Sequence, residues 1–177
     1  MKSPNEITLR RLAFVKHLHS LGMQQSLLAE PIRFASLLTM HDTVELFLCI
    51  ACEHLDAGKT DLPFTEYWNV LSPRLESPGL TQQQAMQRLN RARVSFKHYG
   101  LMPSVTDFEG FRVTTTLFLE ENTPTIFGMR FESISLVDLV DCAAARENLR
   151  AAERHLEEDK YKDAVVSSKI GFPTNPG

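Results

Sequence analysis

Cysteine is scarce in this chain. Cys49, Cys52 and Cys142 are the only three in 177 residues, and an odd number speaks against a disulfide framework and for reduced thiols. Long hydrophobic runs are missing too. The longest unbroken one, LFLCIAC at residues 46–52, falls far short of the roughly 20 apolar residues that span a bilayer. The N-terminal stretch MKSPNEITLRRLAF has no continuous apolar core of the kind a signal peptide needs. The chain is therefore expected in the cytoplasm, with no membrane among its partners. There is no excess of basic residues: the net charge is -3 and the pI about 6.1, which argues against a general nucleic-acid coating protein. Glycine-rich tracts and long linkers are absent. One further absence is local. No acidic residue occurs between Glu76 and Asp107.

What is present has globular proportions, with 43% hydrophobic and 23% charged residues. A chain of this length buries most of its apolar surface without staples. The pattern reads as all-α. Ser3-Pro4 suits a helix start, followed by Ile7, Phe14, Leu18 and Leu21 on one face, with Gly22 ending or loosening the helix. A long helix is expected over residues 31–55, carrying Phe34, Leu37, Leu38, Val44, Phe47 and Leu48 inward, and stopped by Asp56-Ala57-Gly58-Lys59. A short helix over 65–71 precedes the breakers Ser72-Pro73 and Ser77-Pro78-Gly79. Thr81 is expected to cap a helix over 82–99 that ends at Gly100 and Pro103. Ser104 or Thr106 would cap the next, to about residue 121, with Val105, Phe108, Phe111 and Phe118 inward and a turn at 122–125. Ser135 and Asp138 resemble a capping box for a helix to about residue 158. The expected division is a helical bundle over residues 1–158 and a helical tail over 159–177. A helix that begins so late has little to pack on, so the chain reads as the N-terminal part of a longer one, or its last helix as docked on a partner.

The acid-free window contains QRLNRARVSFKHYGLMP, residues 87–103, in which Arg88, Arg91, Arg93 and Lys97 contribute four positive charges; the rest of the chain then carries -7. On a helix advancing about 100° per residue, Ala85, Leu89, Ala92, Phe96 and Tyr99 form one apolar stripe. Arg88, Arg91, Ser95 and His98 form a second stripe beside it, with Arg91 and His98 about 20° apart around the axis. Arg93 and Lys97 lie on the opposite flank. A solvated basic face near a helix C-terminus has the same pattern, because the macrodipole favours cations there.

The segment NRARVSFKHYG resembles the R-x(4–6)-H motif of the HEPN superfamily (higher eukaryotes and prokaryotes nucleotide-binding domains). Arg93 and Arg91 both stand at permitted spacings from His98. SLLTMHDTVELFL, residues 36–48, resembles the second long helix of such domains, with the acidic Glu45 inside an apolar helix. The resemblance spans roughly residues 8–125. It departs from the family where many catalytic members carry a polar residue, often asparagine, directly after the arginine: here Ala92 follows Arg91, Val94 follows Arg93, and Asn90 precedes.

The resemblance implies an up-and-down bundle of four to five helices and a metal-independent endoribonuclease of toxin or phage-defence type. Such an enzyme would cleave single-stranded RNA in a composite cleft of a homodimer, with an antitoxin or sensor as a further partner and no cofactor or metal. Histidine suits proton transfer near neutrality, and the arginine fork suits charge on phosphoryl oxygens. His98 would be the general acid/base and Arg91 or Arg93 the phosphate clamp, Arg91 being favoured by its shared face. Asn90, Ser95, Lys97 and Arg88 would complete substrate binding. The same resemblance admits a catalytically inactive module that dimerises or binds a nucleotide or a protein.

Other polar groups read as structural. Cys49-x-x-Cys52-x-His54 lies in the most apolar segment and lacks a second ligand pair, so burial is expected. His17 and His19 point about 200° apart and read as surface residues. His41-Asp42-x-x-Glu45 puts polar groups in an otherwise apolar helix: His41 and Glu45, four apart, read as a pair within it, the alternative being that these groups line the cleft that would receive His98. Residues 146–163 alternate in charge like a solvated helix. The tail ENLRAAERHLEEDKYKDAVVSSKIGF also resembles a tetratricopeptide-like hairpin, although no period of about 34 residues runs through residues 1–140.

Overall fold

The computed structural model describes residues 3–58 and 61–171. Lys59 of the expected stop and residues 172–177 of the tail lie outside them. Among the described residues there are seven α-helices, five 3-10 segments of three or four residues, and no strand. The chain divides into two compact units, residues 1–134 and 135–177. The division falls at Ser135 and not after Glu158, so the helix expected to close the bundle belongs with the tail.

In the first unit α2 (Ser36–His54) is the central helix, entered through a 3-10 turn at Ile32–Ala35. α1 (Glu6–Gln25) packs along it, and α3 (Tyr67–Leu71), α4 (Gln83–Tyr99) and α5 (Val105–Phe127) cover its other sides. The segment Ile32–His54 has a mean hydropathy of 1.4 and is long enough to cross a bilayer, but most of it is buried. Leu37, Met40, Val44, Phe47, Leu48, Ile50 and Ala51 are all sealed from solvent, so burial among four helices accounts for its apolarity.

α1 differs from expectation at both its start and its buried face. Its cap is Asn5, whose Oδ1 accepts from the Thr8 amide at 2.8 Å. The core face is Leu12, Ala13 and Val15, while Ile7 and Phe14 are exposed. The stripe at 7, 14, 18 and 21 is one of two that the sequence allows, and the one that meets α2 is set by neighbours, not by periodicity. Gly22 is buried against Met40 and the helix continues past it.

α4 also starts differently. Thr81 does not cap it; Gln82 stands there in the left-handed region at φ 58. Thr81 is held by α5 instead: its N–H donates to Asn122 Oδ1 at 3.0 Å, its hydroxyl to Glu121 Oε2 at 2.7 Å, and its carbonyl accepts from Trp68 Nε1 at 3.0 Å. One residue thus fastens α3 and α5 to the entry of α4. Asn122 is fully buried, and its Nδ2 donates to Thr81 Oγ1 and to the Phe118 carbonyl. Asn122→Ala would leave the Thr81 N–H without its acceptor, and we expect a loss of roughly 1–3 kcal/mol in denaturant unfolding. Wild-type stability in that variant would show that the node carries no strain-free hydrogen bonding of consequence.

α5 begins as expected at Ser104, whose Oγ accepts from the Asp107 amide at 3.1 Å. It does not stop at residue 121. It passes through Pro124 to Phe127 and ends at Gly128, φ 69. Proline inside a helix costs about 3 kcal/mol, and here the burial of Ile126 and Phe127 offsets that loss. The side chains of Asn122 and Thr123 donate to the carbonyls of Phe118 and Leu119 in the turn before the proline. Val105, expected inward, is exposed.

The second unit opens with a 3-10 turn, Leu136–Leu139, capped by Ser135, and an extended step before α6 (Ala143–Glu157). The capping-box helix from Ser135 is therefore not formed. Ser135 Oγ accepts from Val137 N and donates to Glu153 at 2.7 Å, and Asp138 pairs with Arg150 at 2.6 Å, so both polar groups serve contacts to α6. α6 and α7 (Tyr161–Gly171) make a hairpin with Ala152 and Ala164 buried. These small side chains let the two backbones approach closely.

Candidate functional site

α4 ends because Gly100 takes φ 66, a left-handed conformation that costs a residue without Cβ little. Its N–H donates to the Phe96 carbonyl at 3.0 Å, and that of Leu101 to Ser95 at 3.3 Å, the paired closure of a helix C-terminus. The chain then turns through Leu101, Met102 and Pro103 and re-enters helix at Ser104. This turn and the flanking helices enclose a cleft of about 360 Å³ lined by Arg88, Arg91, Ala92 and Ser95 of α4, the three turn residues, and Asp107 and Phe111 of α5.

Arg88 and Arg91 are exposed, and neither makes a side-chain hydrogen bond or ion pair among the described residues. Asp107 is the one acidic group in the lining, and its carboxylate accepts from Ser104 Oγ at 2.6 Å. The cleft is therefore net positive, with guanidinium donors free to meet an anion.

The helical period brought Arg88, Arg91 and Ser95 together as expected. His98, the next member of that stripe, is exposed at the last turn, edge-on to Tyr99 at 6.4 Å between ring centroids, and is not among the lining residues. Lys97 is exposed. Tyr99, placed on the apolar stripe by periodicity, is 73% exposed, and only the first half of that stripe (Ala85 and Leu89, with Met86) is buried. The second half of α4 extends past the core, which leaves Val94, Tyr99, Leu101, Met102 and Val105 in solvent. Phe111 is buried, as the sequence pattern leads one to expect, but that it, Asp107 and the turn residues wall a cleft is a tertiary property, at which only the Gly100 stop hinted.

Asn90 and Arg93 lie on the other side of α4, towards α2. Asn90 Oδ1 is 3.0 Å from His41 Nε2, and the Arg93 Nε is buried without a partner. His41 is 2% exposed, its ring stacked on Phe64 at 4.5 Å, and its Nδ1 stands 3.7 Å from Asp42 Oδ1 and 3.8 Å from Glu45 Oε2. Burial holds its pKa below the ordinary histidine value, and the Arg93 charge acts the same way, against Glu45, Asn90 and Asp42.

Comparison with known proteins assigns no family. No family model matches the chain, and no curated protein or solved structure does.

The remaining groups are structural. Cys52 is buried, and burial pushes its thiol up to about 11. Cys49 is half-buried with its sulfur 3.0 Å from the Tyr67 hydroxyl, and Cys142 is exposed in the second unit. Because only thiolates react, we expect an alkylating reagent to label Cys142 in the folded protein and Cys52 only after unfolding. Peptide mass spectrometry reads this directly, and early labelling of Cys52 would contradict its burial. His19 departs from the surface reading: its Nε2 is 2.9 Å from Thr116 Oγ1, its ring is edge-on to Phe131, and burial lowers its pKa. His17 is exposed as expected, stacked on Phe14.

Proposed function

We propose that this chain binds single-stranded RNA at the α4–α5 cleft and cleaves it as a metal-independent endoribonuclease of the HEPN type. Arg91 holds the phosphate, and His98 exchanges the proton. The observation that carries the reading is the pair of unpartnered guanidiniums of Arg88 and Arg91 in one cleft with Ser95, on the helix face that also bears an exposed imidazole. In the reaction the 2′-oxygen attacks the adjacent phosphorus as its proton is taken up, the 5′-oxygen leaves with a proton, and a cyclic phosphate remains. No external oxidant or metal is needed for that balance.

A second copy fits this reading. One protomer's His98 stands outside its own cleft, and the apolar side chains beside it, Tyr99, Leu101, Met102 and Val105, are exposed. Burying them against the same surface of another chain would set two such helix ends together, as the implied homodimer requires. A bundle of HEPN topology, a cytoplasmic setting and an antitoxin or sensor partner belong to the same proposal.

One observation favours a second reading. The absence of His98 from the cleft lining is what a catalytically inactive module would have, one that binds a nucleotide or RNA phosphate through Arg88 and Arg91 alone. The test is cleavage of labelled single-stranded RNA without added divalent metal by wild type, His98→Ala and Arg91→Ala. Loss of cleavage in both variants supports the nuclease. Binding that depends on Arg91, with no cleavage by wild type, supports the module.

A further inference from the structure

We infer that His41, Asp42 and Glu45 form a binding site for one divalent transition-metal ion on the α2 surface that faces α4. The three ligand atoms, His41 Nδ1 and one carboxylate oxygen from each acid, lie within 4.8 Å of one another. Ligand atoms around a tetrahedral ion bound at about 2.1 Å stand about 3.4 Å apart. The two distances from Nδ1, 3.7 and 3.8 Å, are a few tenths of an ångström from that. Both carboxylates are on exposed, rotatable side chains, 59% and 40% accessible, so the final closure costs no backbone movement.

The histidine supplies the second, independent indication. Its ring is nine-tenths buried and more, and Nδ1 has no hydrogen-bond partner. Asn90 Oδ1 can only accept, so Nε2 carries the proton it shares with Asn90, and in the neutral ring Nδ1 is left with a lone pair. That lone pair faces two carboxylates, three acceptors converging with no hydrogen-bond donor between them, an arrangement that the nearby Arg93 charge offsets only in part and that a bound cation would relieve. The separations exceed hydrogen-bonding distance, so a proton on Nδ1 would be an imperfect substitute. The Asn90 contact also fits a metal site, since a ligating histidine commonly gives its other N–H to an oxygen that fixes tautomer and ring plane. The stack on Phe64 holds the same plane from a second side.

Arg93 works against a cation, standing close enough to act on His41. Two carboxylates against one guanidinium still leave the cluster negative. An imidazole with two carboxylates suits Zn²⁺ or a neighbouring first-row ion, and three protein ligands leave positions for water or an anion.

The test is titration of metal-stripped full-length protein with Zn²⁺ alone, followed by calorimetry and by the metal content after dialysis. One ion per chain, with a raised melting temperature, is the expected result. Because His41 is core and its replacement could simply fail to fold, the decisive variants are the exposed Asp42→Asn and Glu45→Gln. Each should weaken binding by roughly tenfold or more, and should shrink the thermal shift at a fixed Zn²⁺ concentration while leaving the unliganded melting temperature near wild type. Asn90→Ala should weaken it by a similar factor through the ring orientation. Replacing Zn²⁺ by Co²⁺ reports the ligands: nitrogen and oxygen ligation gives visible bands without a sulfur-to-cobalt charge-transfer band. No uptake by wild type, wild-type affinity in both carboxylate variants, or a cobalt spectrum of thiolate ligation would each overturn the site.

Discussion

Replacing His98 by alanine is expected to slow RNA cleavage by roughly 10²- to 10⁴-fold, the range supplied by a positioned general acid or base. The side chain is exposed, lies edge-on to the Tyr99 ring, and makes no hydrogen bond or ion pair among the described residues. Surface substitutions of that kind change stability by about 0.5 kcal/mol or less, so unfolding would not explain the loss. Arg91→Ala should remove one charge-assisted clamp, with an effect of roughly 10²-fold or more on the chemical step. The two losses should not multiply, because both groups act on one phosphate. Single-turnover cleavage with enzyme in excess separates chemistry from binding. Equal cleavage by wild type and His98→Ala would identify a contaminating nuclease and end the proposal.

Phe47→Ala should damage the fold severely, at roughly 3–5 kcal/mol. Phe47 is fully buried on α2 and meets two rings of α5 edge to face, Phe118 at 5.3 Å and Phe127 at 5.6 Å. Truncation would lose the apolar burial, both ring contacts and the packing of the space left behind, since interiors collapse only partly. Chemical denaturation with an unchanged slope would read the difference directly. A loss under about 1 kcal/mol would mean that this aromatic cluster does not hold α2 to α5.

The all-α class was legible in the sequence because its signals are local. Gly100 stops α4 and Ser104 starts α5 through bonds made within a few residues, and the stripe Arg88, Arg91, Ser95 needs only the helical period. The misreadings arose where distant neighbours decide. Ile7 and Phe14 have the spacing of a core face, yet they are exposed and Leu12 and Val15 are buried instead. Thr81 has the chemistry of a cap and spends it on Glu121 and Asn122. Asn90 and Arg93 stand beside Arg91 in the chain, but the helix turns them towards His41, a residue 49 positions away from Asn90. His41, Asp42 and Glu45 were recognisable as one polar group on a single helix; that they meet Asn90 of α4 and stay out of the lining of the Arg88–Arg91 cleft depends on how two helices pack.

Pro124 makes the last turn of α5 depend on the rest of the molecule. An excised peptide of α5 would lose helicity at the proline, because nothing in it repays the missing amide. In the protein the closing turn persists because Phe127 reaches Phe47 and His54 across the interior. That last stretch of helix is held by its docking on α2 and not by local propensity, so its integrity depends on residues more than seventy positions away in the chain.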